Sequence, residues 1–153
     1  MTLEKPLLEK PSDVRHQMLE AYPERGYAAT VTADRSDSIG CLVWDIFVKR
    51  TADFADGTAL RTWAERIAKR ASGLLESLKV LEIDESQNIA IVRSDTPSRR
   101  NGVIAYYEVR VTGTSSANVR RYQIDSTKGQ PREQVAFAVT NESLEKLVRD
   151  IAE

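Results

Sequence analysis

Histidine and cysteine are nearly absent, because the 153 residues include one histidine, His16, and one cysteine, Cys41. A single cysteine cannot form an intramolecular disulfide, and one histidine with one cysteine cannot supply the ligand sets of zinc, copper or iron–sulfur sites. The sequence therefore excludes a disulfide scaffold and a His/Cys metal centre. We predict neither a metal nor another cofactor.

Long apolar runs are also absent. No segment approaches the roughly 20 consecutive apolar residues that a membrane helix needs. The first six residues lack the basic start and apolar stretch of a secretory signal. We expect a protein that does not contact a membrane and that resides in a reducing compartment, most simply the cytoplasm.

Neither sign of charge dominates, since the formal net charge is -1. The middle of the chain, 57–132, is basic with 13 Lys/Arg and 8 Asp/Glu, whereas both ends are acidic. A pI near 6.0 argues against an extended nucleic-acid footprint, although a local basic patch in the middle is compatible with it. Nucleic acid is therefore not the partner we expect first.

No residue pattern indicates catalysis or metal binding. His16 lies without a Gly-x-Ser-x-Gly nucleophile motif, and Cys41 falls in a predicted buried strand without a basic neighbour. The acidic spacings at 34–37 and 53–56 lack the alternating ligands and closing glutamate of a calcium loop, and are typical of turns. We therefore predict no catalytic residues and no metal ligands.

One domain is expected at this length. Pro6 and Pro11 in an alternating Lys/Glu context predict a flexible arm over 1–11, followed by a single α+β domain over 12–153. Ser12 is predicted to cap a short helix, because Val14, Met18 and Tyr22 are spaced four residues apart and would share one helical face.

Hydrophobic periodicity predicts an antiparallel sheet of about seven short strands with two further helices. Apolar residues at spacings of three and four predict a long helix over 58–78, with Glu76 facing water, and a C-terminal helix over 141–152. After the short N-terminal helix the order is ββ-α-βββββ-α, with the two later helices packed on one face of the sheet. The strands are predicted over 27–33, 39–49, 79–84, 88–94, 103–112, 117–125 and 133–139.

The strand over 39–49 is apolar on both faces. Strict alternation places four apolar side chains on the face opposite Cys41, and a monomer seldom exposes such a patch. We predict that this patch contacts a partner, a second copy of the chain or an apolar ligand, unless the N-terminal helix covers it. Its residues are Leu42, Trp44, Ile46 and Val48.

Arginines and tyrosines recur on the later strands. The segment 117–125 lacks a clean period, which predicts a bulge at Arg120 and Arg121. Arginines interleaved with aromatics can hold single-stranded RNA, yet they are also ordinary occupants of a solvated sheet face. The candidate contacts for a polar or anionic ligand are Arg99, Arg100, Tyr106, Arg110, Arg120, Arg121 and Tyr122.

These observations favour a non-enzymatic, protein-binding domain of the adaptor or chaperone-like kind, acting as a homodimer. In element order alone the chain resembles small secretion-chaperone-like dimers and helix-grip ligand carriers, and shape does not fix function. The alternative is therefore a small-molecule carrier with a cavity between a curved sheet and the long helix. Two further readings are an enzyme that uses carboxylate or arginine chemistry and single-stranded nucleic-acid binding through the arginine and tyrosine face.

Overall fold

The computed structural model describes residues 15–54 and 56–153. The arm predicted over 1–11 lies outside them, as does Ser12. The described chain is a mixed α+β structure with the helices α1 (Leu60–Arg70) and α2 (Asn141–Ala152). Its strands are β1 (His16–Tyr22), β2 (Tyr27–Ser36), β3 (Gly40–Arg50), β4 (Leu78–Asp84), β5 (Ile89–Ser94), β6 (Ser98–Arg100), β7 (Val103–Thr112), β8 (Ser116–Asp125), β9 (Glu133–Val135) and β10 (Phe137–Thr140).

All ten strands belong to one antiparallel sheet with the main order β1-β2-β3-β8-β7-β5-β4. The short strands β6, β9 and β10 pair with β7, β8 and β3. The predicted α+β class with a large antiparallel sheet is confirmed. The strand count exceeds the predicted seven because β1 and β6 were not foreseen and the segment 133–139 divides at Ala136.

The hydrophobic core lies between the helices and one side of the sheet, which we call the inner face. α1 contacts β4, β5 and β7, while α2 contacts β3 and β10, and the two helices contact each other. Trp63 of α1 is 1% exposed, and its indole Nε1 donates to the Ile151 carbonyl oxygen of α2 at 2.8 Å. The opposite side of the sheet is called the outer face below.

The predicted N-terminal helix is wrong in the described part of the chain, because His16–Tyr22 is strand β1. Met18 and Tyr22 are four residues apart, and four is a multiple of the two-residue strand period, so the same pattern fits one face of a strand. β1 pairs with β2 over all seven residues, and Gly26, at φ +77°, lies in the tight turn between them. The hairpin pairs those backbone N–H and C=O groups of β1 that face β2.

The long helix predicted over 58–78 is also shorter than expected, since α1 ends at Arg70. Gly73 has a φ of +85°, a left-handed conformation that no helix continues. Leu74 packs against the core from the following loop, and Leu78 begins β4. The apolar spacing of three and four residues therefore continues past the end of α1, although the chain there is not helical.

β3 contains a bulge at Trp44. The side chains after the bulge lie on the opposite face from the one that unbroken alternation would give them. Asp45 pairs with Thr32 and Val43 pairs with Ala33, so Trp44 has no partner in β2. On the opposite edge β3 pairs with β10 up to Val43 and with β8 only from Ile46 onwards. The extra residue, Trp44, therefore lies between the end of the pairing with β10 and the start of the pairing with β8. Beyond it the side chains of β3 again alternate between the two faces.

The bulge predicted at Arg120 and Arg121 is absent. β7 and β8 pair without interruption from Val103 opposite Asp125 to Thr112 opposite Ser116. The inward residues of β8 are Ala117, Val119 and Arg121, all buried. The alternation of β8 is regular, but Arg121 occupies one of its inward positions and so hides the pattern in the sequence.

Candidate binding face of the sheet

The outer face of the central strands carries charged and aromatic side chains in register. Glu108 of β7 lies between Arg93 of β5 and Arg120 of β8, and Tyr106 lies opposite Tyr122. Directly opposed residues in antiparallel strands point to the same face with their Cβ atoms about 5 Å apart. The strand register therefore assembles these five residues from three segments distant in sequence.

The Glu108 carboxylate is the centre of this assembly and is buried, with the residue 7% exposed. It accepts hydrogen bonds from Arg93 Nε at 2.7 Å and from Arg132 at 2.9 and 3.3 Å. Burial by itself would raise the pKa of Glu108, but the bonds from Arg132 and Arg93 outweigh burial and the pKa is lowered. Glu108 is therefore an ionised anchor that holds two guanidinium groups in place.

The two tyrosine rings are covered by arginines. The guanidinium carbon of Arg132 lies 3.8 Å from the centroid of the Tyr122 ring, and Arg132 donates to the Tyr106 hydroxyl at 3.2 Å. The Arg93 guanidinium carbon lies 5.0 Å from the Tyr106 centroid. These cation–π contacts orient the guanidinium groups and occupy ring surface that would otherwise face solvent.

A second carboxylate anchors the third arginine. Asp45 in β3 accepts from Arg120 Nε at 2.9 Å and from Asn118 Nδ2 at 3.2 Å. Gln134 Nε2 donates at 2.6 Å to the Trp44 carbonyl oxygen, at the point where β3 lacks a strand partner. The β3 bulge is thereby fixed to β8 and β9, and Asp45 holds the Arg120 guanidinium.

The predicted ligand contacts divide between the two faces. Arg110 and Arg99 are exposed and lie on the outer face, opposite Asn118 and Ile104 respectively. Arg100 pairs with Val103 on the side of the helices, and Arg121 is buried there. We call the outer set the arginine cluster, with the two carboxylate anchors Glu108 and Asp45 and the five arginines Arg93, Arg99, Arg110, Arg120 and Arg132.

The prediction that Leu42, Trp44, Ile46 and Val48 share one face is wrong. Ile46 and Val48 are 0% exposed and belong to the core beneath the helices, because the bulge at Trp44 shifts the alternation. Leu42 and Trp44 lie on the outer face and are half-buried, and the Arg15 guanidinium carbon is 3.8 Å from the Trp44 ring centroid. That Leu42 and Trp44 contact a partner stays a prediction.

An ion pair that the sequence did not reveal lies on the inner face. Arg121 donates to both carboxylate oxygens of Glu76, which also accept from Ser94 Oγ at 3.0 Å and Ser98 Oγ at 2.9 Å. Glu76, predicted to face water, is instead drawn inside at 7% side-chain exposure. Arg121 therefore lies apart from the predicted ligand contacts on the outer face and is paired with Glu76.

Cys41 and the other metal-ligating side chains of the described residues form no cluster for catalysis or metal binding. Burial, followed by the nearby Asp37 carboxylate, raises the pKa of the Cys41 thiol to about 11, so the reactive thiolate is scarce near neutral pH. Among the described residues, no three His, Cys, Asp or Glu side chains are placed to hold a metal ion. A polar cleft of about 250 Å³ lies at the end of β3, lined by Arg50, Thr51, Ala52, Asp53, Thr114 and Ser115.

Arg93, Asp45 and Arg132 were not predicted from the sequence as parts of one site. Alternation in β5 could have placed Arg93 on a polar face, but only the register shows that it meets Glu108. Arg132 lies just before β9 in a segment without periodicity, so no local signal identifies it.

Neither helix in residues 15–54 and 56–153 is long and apolar enough to cross a membrane. Comparison with protein-family models, with curated proteins and with solved structures finds no significant match.

Proposed function

We propose that the chain is a non-enzymatic binding domain, acting as a homodimer, that docks an acidic segment of another protein on the outer face of its sheet. The observation that carries this proposal is the arginine cluster, in which five guanidinium groups accompany two carboxylates. Oppositely charged surfaces steer association and fix the orientation of a complex. An acidic partner is the chemistry that this surplus of positive charge fits.

The arginines are oriented and still have donors to offer. Arg93 and Arg120 bind their carboxylate anchors through Nε, while their side chains stay 36% and 42% exposed. A guanidinium has four further N–H donors on its two terminal nitrogens. Because each side chain is already held by an anchor, little conformational entropy is lost when a partner carboxylate binds.

The same geometry disfavours the nucleic-acid reading. Single strands are held largely by stacking of bases on open aromatic rings. Tyr106 is 7% exposed, and the Arg132 guanidinium lies against the Tyr122 ring. A base would have to displace these contacts before it could stack.

Close packing in the described part of the core, between sheet and helices, disfavours a small-molecule carrier. Trp63, Ile67 and Val92 in that region are between 0% and 1% exposed. The polar cleft lies instead at the end of β3, beside the turn between β7 and β8.

The test measures binding of a fluorescent glutamate-rich dodecapeptide to the full chain at low salt. The first comparison is the same peptide with every glutamate replaced by glutamine, and the second is a single-stranded RNA of mixed sequence. We expect the acidic peptide to bind and to weaken as salt rises. Equal binding of the glutamine peptide, or tighter binding of the RNA, would overturn the proposal.

Arg110→Glu is the informative variant, because Arg110 is exposed and is not one of the arginines that hold Glu108 or Asp45. We expect affinity for the acidic peptide to fall about tenfold, as for a loss of about 1.4 kcal/mol. Arg61→Glu, on the exposed side of α1, is the matched control and should leave affinity unchanged. Equal losses in both variants would mean that only net charge matters and that the face is not the site.

A further inference from the structure

Among the described residues, the main strand order ends in two edge strands of different character, β1 and β4. Edge strands present unpaired backbone N–H and C=O groups, and proteins usually protect them with charges, prolines or bulges. β4 has such protection, since Leu81 is an extra residue relative to β5 and the strand carries Lys79, Glu82 and Asp84.

β1 has less protection than β4. Its seven residues, His16–Tyr22, pair with β2 without a bulge and contain no proline and no lysine. Glu20 is the only acidic residue in the strand. Within the described parts of the chain, no other strand pairs with the free edge of β1.

We infer that the β1 edge is a self-association site, where β1 of a second copy of this chain adds antiparallel to β1 and joins the two sheets. This inference deepens the homodimer part of the proposed function and is independent of the acidic partner. It also replaces the expected interface on β3, of which Ile46 and Val48 are buried by the chain itself.

Two copies of β1 can pair antiparallel about the central residue of the strand, Leu19. A twofold axis at Leu19 sets Leu19 opposite its own copy, Met18 opposite Glu20, Gln17 opposite Ala21, and His16 opposite Tyr22. All seven residues are then paired and no two carboxylates face each other. Opposed residues share a face, so the helices of both copies lie on the same side of the joined sheet.

The exposure of Leu19 supports this register. Leu19 is 70% exposed on the outer face of an edge strand, whereas Met18, its neighbour on the inner face, is 9% exposed. In the twofold pair the two Leu19 side chains lie side by side, with Cβ atoms about 5 Å apart, and cover each other. The most exposed apolar side chain of the strand is thereby placed at the axis.

The contact is small. A single pair of seven-residue strands buries less than the roughly 1,200 Å² typical of stable complexes. We therefore expect reversible association, with a mass that rises from 17.2 kDa towards twice that value as concentration increases. Sedimentation of the full chain up to about 1 mM measures it. A monomer mass throughout this range would overturn the inference.

Charge substitutions at the axis test the register. In Leu19→Lys, and separately in Leu19→Glu, like charges oppose each other across the twofold, and each variant should stay monomeric. An equimolar mixture of the two variants should regain the dimer mass, because Lys then faces Glu. Circular dichroism checks that each variant folds, which we expect because Leu19 is mostly exposed.

Leu81→Lys on the β4 edge, where Leu81 is 49% exposed, is the matched control and should dimerise like the wild type. Persistent dimers of Leu19→Lys, or monomers in the equimolar mixture, would show that β1 is not the interface. Dimers that survive Leu19→Lys and are lost in Trp44→Glu would assign association to the outer face instead.

Peptide binding separates the two proposals. A Leu19→Lys monomer that still binds the acidic peptide supports the edge interface and the arginine cluster as separate sites. Dimerisation without peptide binding would remove the acidic partner and keep the edge interface.

Discussion

Arg121 donates two hydrogen bonds to the Glu76 carboxylate, at 3.0 and 3.3 Å, and each side chain is less than one-tenth exposed. The pair joins the loop after α1 to the inner face of β8. The Arg121 guanidinium carbon also lies 4.2 Å from the Tyr107 ring centroid, and the Tyr107 hydroxyl accepts from the Leu75 backbone N–H at 3.3 Å. Ionic, aromatic and backbone contacts together hold this loop against the sheet.

We predict that Arg121→Met lowers the free energy of unfolding by about 3–5 kcal/mol, because the Glu76 charge stays buried without its cation. The double variant Arg121→Met with Glu76→Leu should lose less, since no charge then remains buried alone. Urea denaturation of both variants measures the difference. Arg61→Met breaks the exposed pair with Glu85 and should change stability by less than about 1 kcal/mol.

A loss no larger in Arg121→Met than in Arg61→Met would contradict this account. It would mean that water reaches Glu76 and replaces the guanidinium at little cost.

The indole of Trp63 gives a second stability prediction. Trp63→Ala removes a fully buried aromatic ring together with the hydrogen bond to the Ile151 carbonyl oxygen, and should cost about 3–5 kcal/mol. Arg70→Ala on the exposed side of α1 should cost less than about 1 kcal/mol. The urea midpoints of the two variants measure this difference. Equal midpoints would mean that Trp63 does not face the core.

Elements with a long, unambiguous period were predictable from the sequence. The strand over 103–112 and the helix over 141–152 have the predicted bounds. In the helix, Leu144, Leu147, Val148 and Ile151 form one buried stripe. The Thr140 hydroxyl caps its start by accepting from the Ser143 backbone N–H at 3.0 Å. Local pattern and tertiary packing agree in both elements.

Prediction failed where a local pattern had two solutions or a partner was distant. The four-residue spacing of Met18 and Tyr22 fits a helix and a strand equally, and only pairing with β2 decides between them. Arg121 interrupts the apolar side of β8, and the sequence does not reveal why, because its partner Glu76 lies 45 residues away. The arginine cluster was not predictable for the same reason, because strand register rather than proximity in sequence brings Arg93 next to Glu108.

The last prediction concerns the pH dependence of stability at Glu108. Its pKa is lowered on folding from the ordinary value of 4.5, so the folded protein binds this proton less tightly than the unfolded chain. The stabilising contribution of Glu108 is therefore fully present above pH 4.5 and is lost as pH falls through the lowered pKa. Glu108→Gln removes this contribution and should cost about 1–3 kcal/mol near pH 7, because Arg93 and Arg132 lose their shared carboxylate.

Urea unfolding of the wild type and Glu108→Gln at a series of pH values from 7 to about 3 isolates this group. Other carboxylates with lowered pKa values, Asp56, Asp84 and Asp125, titrate in both proteins, so their effects cancel in the difference. We expect the difference in unfolding free energy to be constant above pH 5 and to shrink as pH falls towards 3. A difference that stays constant down to pH 3 would mean that Arg93 and Arg132 do not hold the Glu108 carboxylate ionised in the folded protein.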